Sequence, residues 1–388
     1  MTQVKETVKG FRDFTGEEAS KREFVKQLLI KKFKIYGFIP AETPIIEFEE
    51  FVKGDNQQDE AISDIFRLKD KGNRDLALRY EFTFQLKRIA QNQKLPFKRY
   101  QIGEVFRDEP VSANRFRQFT QCDVDTIGSS FREEAEILKL MSDIFKGLKI
   151  PVEILINNRK LLNEVLDEQK IKEKEQIIRE IDKLDKLSEA EVKENLKRYG
   201  AEKTIAIFKK PESYFSKFKA YEEIKKLKTF CKLFDVEVTF SPTLARGLSY
   251  YNSSVFEIKL KGAKESIAGG GSYLCNGNQS TGISFSLERL IPLVPLAKSE
   301  TQSTKCAIIS INQEQKSVEI AQNLRKSEIS CIILEKISKA LEYANSQDIP
   351  FVLFVGEEEI KKKKFKLRDM KSGKEEFLGE RDLIKKLS

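Results

Sequence analysis

Histidine is the most informative absence. The 388 residues contain no histidine and no tryptophan. Without an imidazole, Ser-His-Asp and Cys-His catalysis are excluded, and so are histidine-ligated metals and imidazole proton relays. Any chemistry must therefore rely on carboxylates, arginines, lysines, hydroxyl groups and bound ions.

Cysteine is sparse, and long apolar runs are absent. The odd number and the spacing of the cysteines argue against a zinc ribbon or a disulfide framework, and no metal site is expected from histidine or cysteine. Reduced thiols in a cytoplasm are the expectation. The opening "MTQVKETVKG" lacks an apolar core, and "LIPLVPLA" is short and broken by prolines, so we expect neither a signal peptide nor a membrane span. The cysteines are Cys122, Cys231, Cys275, Cys306 and Cys331.

The charge balance favours a polyanionic partner. Lysine and arginine number 70 against 61 acidic residues, which gives a net charge of +9. Such an excess suits nucleic acid, nucleotide or an anionic surface. The chain has no G-x-x-x-x-G-K-[ST] sequence, and "GGGSYLCNG" lacks the lysine of a P-loop. If the protein handles ATP, we expect it to do so on an antiparallel sheet with arginines.

The pattern of strands and helices predicts an α+β fold in three parts. Residues 1–150 and 235–300 read as antiparallel strands flanked by helices. Residues 151–234 are charged and strongly helical after one short strand, and are read as an insertion. Residues 303–388 begin with the alternation β-α-β-α-β, which predicts a separate α/β domain after a polar linker.

The segment 107–125, "RDEPVSANRFRQFTQCDVD", contains an unusual strand. A half-buried strand normally keeps one side apolar, and this one does not. Alternation aims one set of mostly polar side chains the same way: Arg115, Arg117, Phe119, Gln121, Asp123 and Asp125.

Two groups of polar residues suggest adjoining sites of opposite charge. Arg107, Arg246 and Arg289 stand in or beside apolar segments and suit phosphate oxygens; the alternative is ordinary surface ion pairs. Elsewhere, acidic, amide and hydroxyl groups could form internal salt bridges or grip a cationic amino group: Glu81, Thr83, Gln121 and Asp125. Together the groups describe an amino-acid site beside a polyphosphate site.

Three further stretches allow two interpretations each. The "AGGG" at Ala268 to Gly271 fits a tight turn or bulge, or a bare backbone that lets a ligand approach. Tyr250 and Tyr251 fit core aromatics or site residues. The "KKKK" run at 361–364 fits a solvated edge or a phosphate contact.

Taken in order, several stretches resemble the histidyl-tRNA synthetases, within the class II aminoacyl-tRNA synthetases. "TPIIE", with Pro44, is similar to motif 1, and "FRDE…NRFRQFTQCDVDTIG" to motif 2. "LARGLSYYNSSVFEI" resembles the first histidine-specific signature, and "GISFSLERL" resembles motif 3. The resemblance covers nearly the whole chain, and residues from about 303 onward are similar to the family's anticodon-binding domain.

The resemblance implies roles for individual residues. Glu81, Thr83 and Gln121 match positions that hold the histidine α-ammonium. Asp125 and Tyr251 match those that read the imidazole N–H groups, and Tyr273 belongs to the same histidine site.

It also implies an ATP site. Arg107 matches the arginine that binds the α-phosphate and the histidine carboxylate, and Arg246 matches the family's arginine beside the α-phosphate, so these two are the expected catalytic residues. Arg115 matches the arginine on the phosphate tail and Arg289 the one on the γ-phosphate. ATP as substrate, Mg²⁺, histidine, its tRNA and a homodimer are the implied partners.

Some positions depart from the family pattern. Ser249 stands in "RGLSYY", Ser272 and Leu274 replace a charged pair in "GGSYL", Ser286 replaces a motif 3 glycine, and Phe82 fills a normally aliphatic position. Losing the charged pair bears on the geometry of the loop expected to carry Tyr273. Two alternatives stay open: a paralogue that no longer charges tRNA and acts as a regulatory subunit, and a basic RNA-binding module without catalysis.

Overall fold

A computed structural model gives the architecture of the chain. It describes residues 6–54, 60–112, 115–185, 187–246, 250–263, 265–296 and 304–388. Ser249 and most of the expected linker therefore lie outside the described residues. The chain forms two compact units, one made of the residues up to Asp13 with Val25–Pro295, the other of Phe14–Phe24 with the segment that ends at Ser388.

The strands are, in chain order, β1 (Ile39–Pro40), β2 (Ile46–Phe48), β3 (Arg67–Lys69), β4 (Asp75–Leu78), β5 (Phe97–Phe106), β6 (Gln118–Ile127), β7 (Val152–Asn158), β8 (Thr239–Phe240), β9 (Tyr251–Leu260), β10 (Ser266–Cys275), β11 (Asn278–Ser286), β12 (Cys306–Ser310), β13 (Cys331–Leu334), β14 (Phe351–Val355), β15 (Phe365–Asp369) and β16 (Glu375–Leu378).

The helices are α1 (Gly16–Ile35), α2 (Glu49–Lys53), α3 (Glu60–Ser63), α4 (Thr83–Ile89), α5 (Phe131–Gly147), α6 (Arg159–Glu168), α7 (Lys174–Asp182), α8 (Glu189–Lys197), α9 (Thr204–Phe208), α10 (Glu212–Phe215), α11 (Tyr221–Leu233), α12 (Leu287–Leu290), α13 (Glu314–Lys326), α14 (Ile337–Ser346), α15 (Glu357–Lys362) and α16 (Glu380–Leu387).

The first unit is built on an eight-stranded sheet in the order β1-β5-β6-β11-β10-β9-β7-β8. Its central strands, from β5 to β7, pair antiparallel. The α+β fold expected from the sequence is confirmed. A small second sheet in the order β2-β4-β3 contains an antiparallel hairpin of β3 and β4.

Helix α5 covers one face of the large sheet, together with α11. It begins at a capping box, in which Ser130 and Glu133 bond each other's backbone, an arrangement that satisfies two otherwise unpaired N–H groups. Its apolar stripe, which includes Leu138 and Met141, is fully buried. Strand residues that point to this face are apolar too, among them Val124 and Ile283.

The structure differs from the sequence-based expectations at three places. Residues Val152–Asn158, the first strand of the predicted insertion range 151–234, pair with β9 and belong to the large sheet. The glycine cluster at Gly269 to Gly271 is not a tight turn but the middle of strand β10, next to a register shift between Gly271 and Tyr273. Strand β6 begins at Gln118, so Arg115 and Arg117 precede it.

The C-terminal part of the second unit is an α/β layer with the sheet order β13-β12-β14-β15-β16. The predicted β-α-β-α-β alternation is confirmed as β12, α13, β13, α14 and β14, whose strands pair in parallel. Strands β15 and β16 extend the sheet antiparallel. The "KKKK" run covers the last two residues of α15 and the two residues between α15 and β15, and it is exposed at all four positions.

Candidate active site

The face of the large sheet that α5 does not cover carries rows of polar residues. Residues directly opposite each other on neighbouring strands point to the same face. Asp125 on β6 stands opposite Arg99 on β5 and Gly282 on β11. One row further along, the opposed residues cross five strands: Gln101, Asp123, Ser284, Gly269 and Glu257. The polar side predicted for the strand is confirmed for Gln121, Asp123 and Asp125.

A network of carboxylates occupies the β5–β6 end of this face. Arg99 Nη2 lies 2.9 Å from Asp125 Oδ2 and 4.0 Å from Asp123 Oδ2. Gln121 Nε2 donates to Asp123 Oδ2 at 3.1 Å, and the Tyr273 hydroxyl donates to Asp125 Oδ1. The structure thus brings Gln121, Asp125 and Tyr273 together, as the resemblance implies.

Glu81 completes the acidic group. The Thr83 hydroxyl, at the start of α4, donates to Glu81 Oε2 at 3.2 Å. Burial raises the pKa of Glu81 to about 7, the charge of Asp123 adds to the rise, and Arg107 opposes it. Burial also raises the pKa of Asp123 to about 6, and raises that of Asp125 against the opposing charge of Arg99. Three buried carboxylates beside one guanidinium favour a cationic ligand group.

Two tyrosines line the same face. Tyr251 and Tyr273 are opposite residues of β9 and β10, and both are buried. Tyr250 packs its ring against both, with ring centres 4.7 Å from Tyr251 and 5.8 Å from Tyr273. Of the two adjacent tyrosines, Tyr250 therefore supports the packing, and Tyr251 stands on the polar face.

Glycines make room for the functional side chains. A Cβ on Gly282 would lie 2.0 Å from Asp125 Oδ1, and one on Gly269 would lie 2.5 Å from Arg246 Nη1. A Cβ on Gly271 would lie 2.8 Å from the Tyr251 ring. Such approaches are shorter than any van der Waals contact, so only glycine fits. The bare backbone of "AGGG" thus accommodates side chains of the protein itself.

The guanidinium of Arg246 packs against the backbone at Gly269. Its Nη1 donates to Glu257 Oε1 at 2.8 Å. Its side chain stays 25% exposed, so the guanidinium is fixed on one side and open on the other. Glu257 Oε2 lies 3.5 Å from Lys259 Nζ.

Three more arginines gather near the start of β6 and the end of β11. Arg107 Nη1 and Arg115 Nη1 lie 3.8 and 3.6 Å from the two oxygens of Glu109. Arg289 Nη1 donates to the Ser266 carbonyl at 3.2 Å. Burial lowers the pKa of Arg289, and the charges of Arg115 and Arg107 lower it further. A cluster of cations with a single shared carboxylate is suited to a polyanion.

Sequence reasoning missed three of these positions, Arg99, Gly282 and Glu257, and it named Asp123 only as part of the polar side of the strand. An available signal was the strand "FKRYQIGEVF", in which alternation puts Arg99, Gln101 and Gly103 on one side. The partnership with Asp125 could not be read from it, because the register of β5 against β6 is not visible in a single sequence.

Known protein families and relatives match the chain over most of its length. The family described as "Histidyl-tRNA synthetase" matches residues 10–290, and that described as "Anticodon binding domain" matches residues 305–388. A relative from Bacillus anthracis, "Histidine--tRNA ligase 1", is 34% identical over 95% of this chain and 96% of its own. The chain belongs to the histidyl-tRNA synthetase family.

Solved structures agree with this assignment to the family. The crystal structure of histidyl-tRNA synthetase from Nostoc sp. PCC 7120 matches with a TM-score of 0.86 and 26% identity, covering 100% of this chain and 99% of that one. A structure from Bacillus halodurans, titled as an ATP phosphoribosyltransferase regulatory subunit/histidyl-tRNA synthetase, matches with a TM-score of 0.75 and 18% identity over 91% and 99% of the two chains. At that identity the likeness shows the fold alone.

The departures from the synthetase pattern have local structural explanations. Ser286 caps α12, where its hydroxyl accepts from the Arg289 backbone N–H at 3.3 Å. Phe82 is fully buried under the guanidinium of Arg79. Leu274 is exposed. The segment expected to be a loop carrying Tyr273 is part of strand β10, so Tyr273 and Ser272 point to opposite faces.

Ser272 instead contacts helix α5. Its hydroxyl donates to Glu134 Oε1, and both side chains are buried. Burial raises the pKa of Glu134 to about 7, while the hydroxyls of Ser254 and Ser272 hold it down. A serine where synthetases usually carry an arginine thus leaves a buried carboxylate bonded to neutral groups.

We predict that Glu134→Gln flattens the pH dependence of thermal stability. Because the pKa of Glu134 in the folded chain, about 7, exceeds the ordinary value of 4.5 for a glutamate, the folded state binds the extra proton, and stability falls as the pH rises between these values. The full effect of such a shift is about 3 kcal/mol. Melting temperatures measured from pH 5.5 to 8 should therefore fall less in the variant than in the wild type.

The control for net charge is Glu194→Gln, which removes the same charge at an exposed position and should leave the slope unchanged. Parallel melting curves for Glu134→Gln and the wild type would show that Glu134 is already ionised at the low end of this range.

Proposed function

We propose that this chain activates histidine with ATP to form histidyl-adenylate and then transfers histidine to the 3′ end of its tRNA. The observation that carries the proposal is the adjacency of two groups of opposite charge on one sheet face. Glu81, Asp123 and Asp125 are buried carboxylates, and Arg107 beside them influences the pKa of Glu81. A zwitterion with a second donor group, next to a polyphosphate, is the ligand pair that such a face suits.

In this proposal the residue roles follow the family pattern. Glu81, Thr83 and Gln121 hold the α-ammonium group, and Asp125, Tyr251 and Tyr273 form the imidazole end. Arg107 and Arg246 bind the α-phosphate, with Arg107 also on the histidine carboxylate. Arg115 and Arg289 hold the rest of the phosphate tail.

The chemistry needs no general base. The histidine carboxylate is the nucleophile and attacks the α-phosphorus in line, and pyrophosphate leaves. Catalysis then rests on positioning and on charge stabilisation by Arg107 and Arg246. Glu257 supports this role, since its hydrogen bond to Arg246 fixes the guanidinium before substrate arrives. In the second step the terminal ribose hydroxyl of the tRNA attacks the adenylate.

Mg²⁺ is proposed to enter with ATP. Within the described residues no group of three or more histidine, cysteine, aspartate or glutamate ligands converges. This fits an ion that is held mostly by phosphates and by one or two carboxylates, as Mg²⁺ usually is. Glu257 Oε2, buried and without a hydrogen bond in the described part of the chain, is the carboxylate that would hold it. The ion would neutralise charge on the phosphates.

We propose that three parts of the chain have different functions. Residues 1–150 and 235–300 carry catalysis, 151–234 form an insertion, and 303–388 contribute to recognition of the anticodon. Lys361 and Lys362 pair with Glu357 and Glu358 one turn earlier, so these two lysines add little net positive charge for a phosphate backbone. All five cysteines are buried and form no disulfide within the described residues, which supports a reducing, cytoplasmic location. In the described residues, no helix combines the length and apolarity that a bilayer crossing requires.

A non-charging regulatory paralogue is the second candidate, favoured by the fold shared with the Bacillus halodurans structure. Regulatory paralogues of this kind typically lack the anticodon domain and the arginine of "LARGL", although the Bacillus halodurans structure covers 91% of this chain. This chain has a match to the anticodon-binding family over residues 305–388, and Arg246 is present and held by Glu257. We therefore favour the charging enzyme.

ATP–pyrophosphate exchange separates the two candidates. Purified chain should exchange labelled pyrophosphate into ATP with histidine and with none of the other nineteen standard amino acids. It should also charge the histidine tRNA. A folded chain without histidine-dependent exchange would refute the proposal and favour the regulatory paralogue.

We predict that Arg246→Ala folds normally and loses about 100- to 1000-fold in histidine-dependent exchange, because it removes a donor to the α-phosphate. The substitution removes no core packing, since the guanidinium is partly exposed. The matched control is Arg132→Ala. Arg132 lies on α5 with 65% of its side chain exposed, so this variant should keep normal exchange. Near-full exchange by Arg246→Ala would contradict its assigned role.

We also predict a homodimer formed through the motif 1 segment. Four apolar side chains near Pro44 are exposed by 43% to 56%: Ile39, Ile45, Ile46 and Phe48. Contiguous apolar surface of this kind is typical of an interface, and two-fold dimers are the commonest assembly. Light scattering at micromolar concentration should give twice the mass of the chain. A stable monomer would contradict this.

A further inference from the structure

Arg99 is the most deeply buried arginine of the site face. It has no exposed surface, and its nearest charged neighbours are Asp125 at 2.9 Å and Asp123 at 4.0 Å. All three guanidinium nitrogens lack a well-formed hydrogen bond within the described residues. The Arg99 guanidinium thus makes an ion pair with Asp125, and its N–H donors remain available to the carboxylates around it.

A second buried arginine shows what a structural role looks like here. Arg79 is 5% exposed, and its guanidinium donates to the carbonyls of Glu104 and Thr43, both at 2.7 Å. Its donors are satisfied by backbone, and its plane rests on Phe82. Arg99, by contrast, has two carboxylates of the candidate histidine site as its nearest charged neighbours.

Burying a guanidinium is costly, and an apolar residue of similar volume is often as stable or more so. A buried ion pair is therefore weak evidence of a stabilising role. The advantage of an arginine at position 99 must therefore lie in its effect on the neighbouring carboxylates. Asp125 is held from three sides. Arg99 meets one oxygen and Tyr273 the other, and the carboxylate lies against the bare backbone of Gly282, where a Cβ would clash with Oδ1.

We propose that Arg99 is a positioning residue for the amino-acid substrate: it keeps the Asp125 carboxylate ionised and turned so that it accepts hydrogen bonds from the imidazole. Asp123, the second neighbour of the guanidinium, lies farther away, with its Oδ2 4.0 Å from Arg99 Nη2. This inference rests on the proposed histidine-binding role of Asp125.

The pH dependence follows from the groups that face Asp125. Burial raises its pKa, and the Arg99 charge lowers it. Removing Arg99 takes away the cation that lowers the pKa of Asp125, so protonation of Asp125 should extend to higher pH than in the wild type. The facing titratable groups are Arg99 on β5, Asp123 on β6, Glu81 before α4, Tyr251 on β9, and Tyr273 and Cys275 on β10.

The test uses the full-length chain and measures KM for histidine and for ATP in pyrophosphate exchange at pH 7 and pH 8.5. Arg99→Met should raise the histidine KM roughly 10- to 100-fold at pH 7, the range expected for a lost charged hydrogen-bond partner. The rise should be smaller at pH 8.5, and Arg99→Lys should recover part of the loss. The ATP KM should stay within about twofold.

A double-mutant cycle separates positioning from general packing. If Arg99 acts through Asp125, Arg99→Met should cause no further rise in histidine KM when Asp125→Asn is already present. The control Arg79→Met removes a buried arginine of similar size and should not raise the histidine KM preferentially. If Arg99→Met does not fold, Arg99→Lys and the double variant, which removes the pair together, supply the comparison.

The outcomes are distinguishable. A wild-type chain without histidine-dependent exchange would overturn the proposed function and, with it, this inference. A wild type that exchanges, with Arg99→Met leaving the histidine KM unchanged, raising both KM values equally or adding its full effect to Asp125→Asn, would overturn the inference alone.

Discussion

The candidate site depends on one electrostatic constraint, the burial of three carboxylates of which two lie beside the fully buried guanidinium of Arg99. Glu81, Asp123 and Asp125 are each less than a tenth exposed, and Arg99 is not exposed at all. Such a group carries excess negative charge that water cannot screen, so protonation or a cationic ligand must relieve it. In the protein without ligand, this burial of negative charge raises the pKa of Glu81 to about 7 and the pKa of Asp123 to about 6. The arginines beside the group make the same face attractive to phosphate.

The two faces of the large sheet have different tasks, and the strands alternate between them. On the face covered by α5, apolar residues such as Val124 and Ile283 form the core. On the other face, glycines of β10 and β11 leave space in which Arg246 and Asp125 lie flat. The antiparallel register therefore brings distant segments of the chain onto one surface. Because the chain has no histidine side chain, its chemistry depends on how this surface positions the substrates.

Much of this could be predicted from single residues and much could not. Alternation along 115–125 indicated correctly that Gln121 and Asp125 share a face. The ion pair of Arg99 depended on the β5–β6 register, which no local pattern reveals. For the same reason the sequence left open whether the glycines of "AGGG" form a turn or bulge or provide a bare backbone; they lie in a strand, beside a register shift, and neighbouring side chains need the space. Ser272 looked like a loss in the substrate loop, yet alternation within β10 turns it toward Glu134 on the helix side.

A crystal structure with histidine and a non-hydrolysable ATP analogue bound together would test the account most directly. The account predicts the imidazole nitrogens within hydrogen-bonding distance, about 3 Å, of Asp125 and Tyr251. The α-ammonium should lie beside Glu81, and the α-phosphate between Arg107 and Arg246. A histidine ring bound away from Asp125, or phosphates that avoid both arginines, would contradict it.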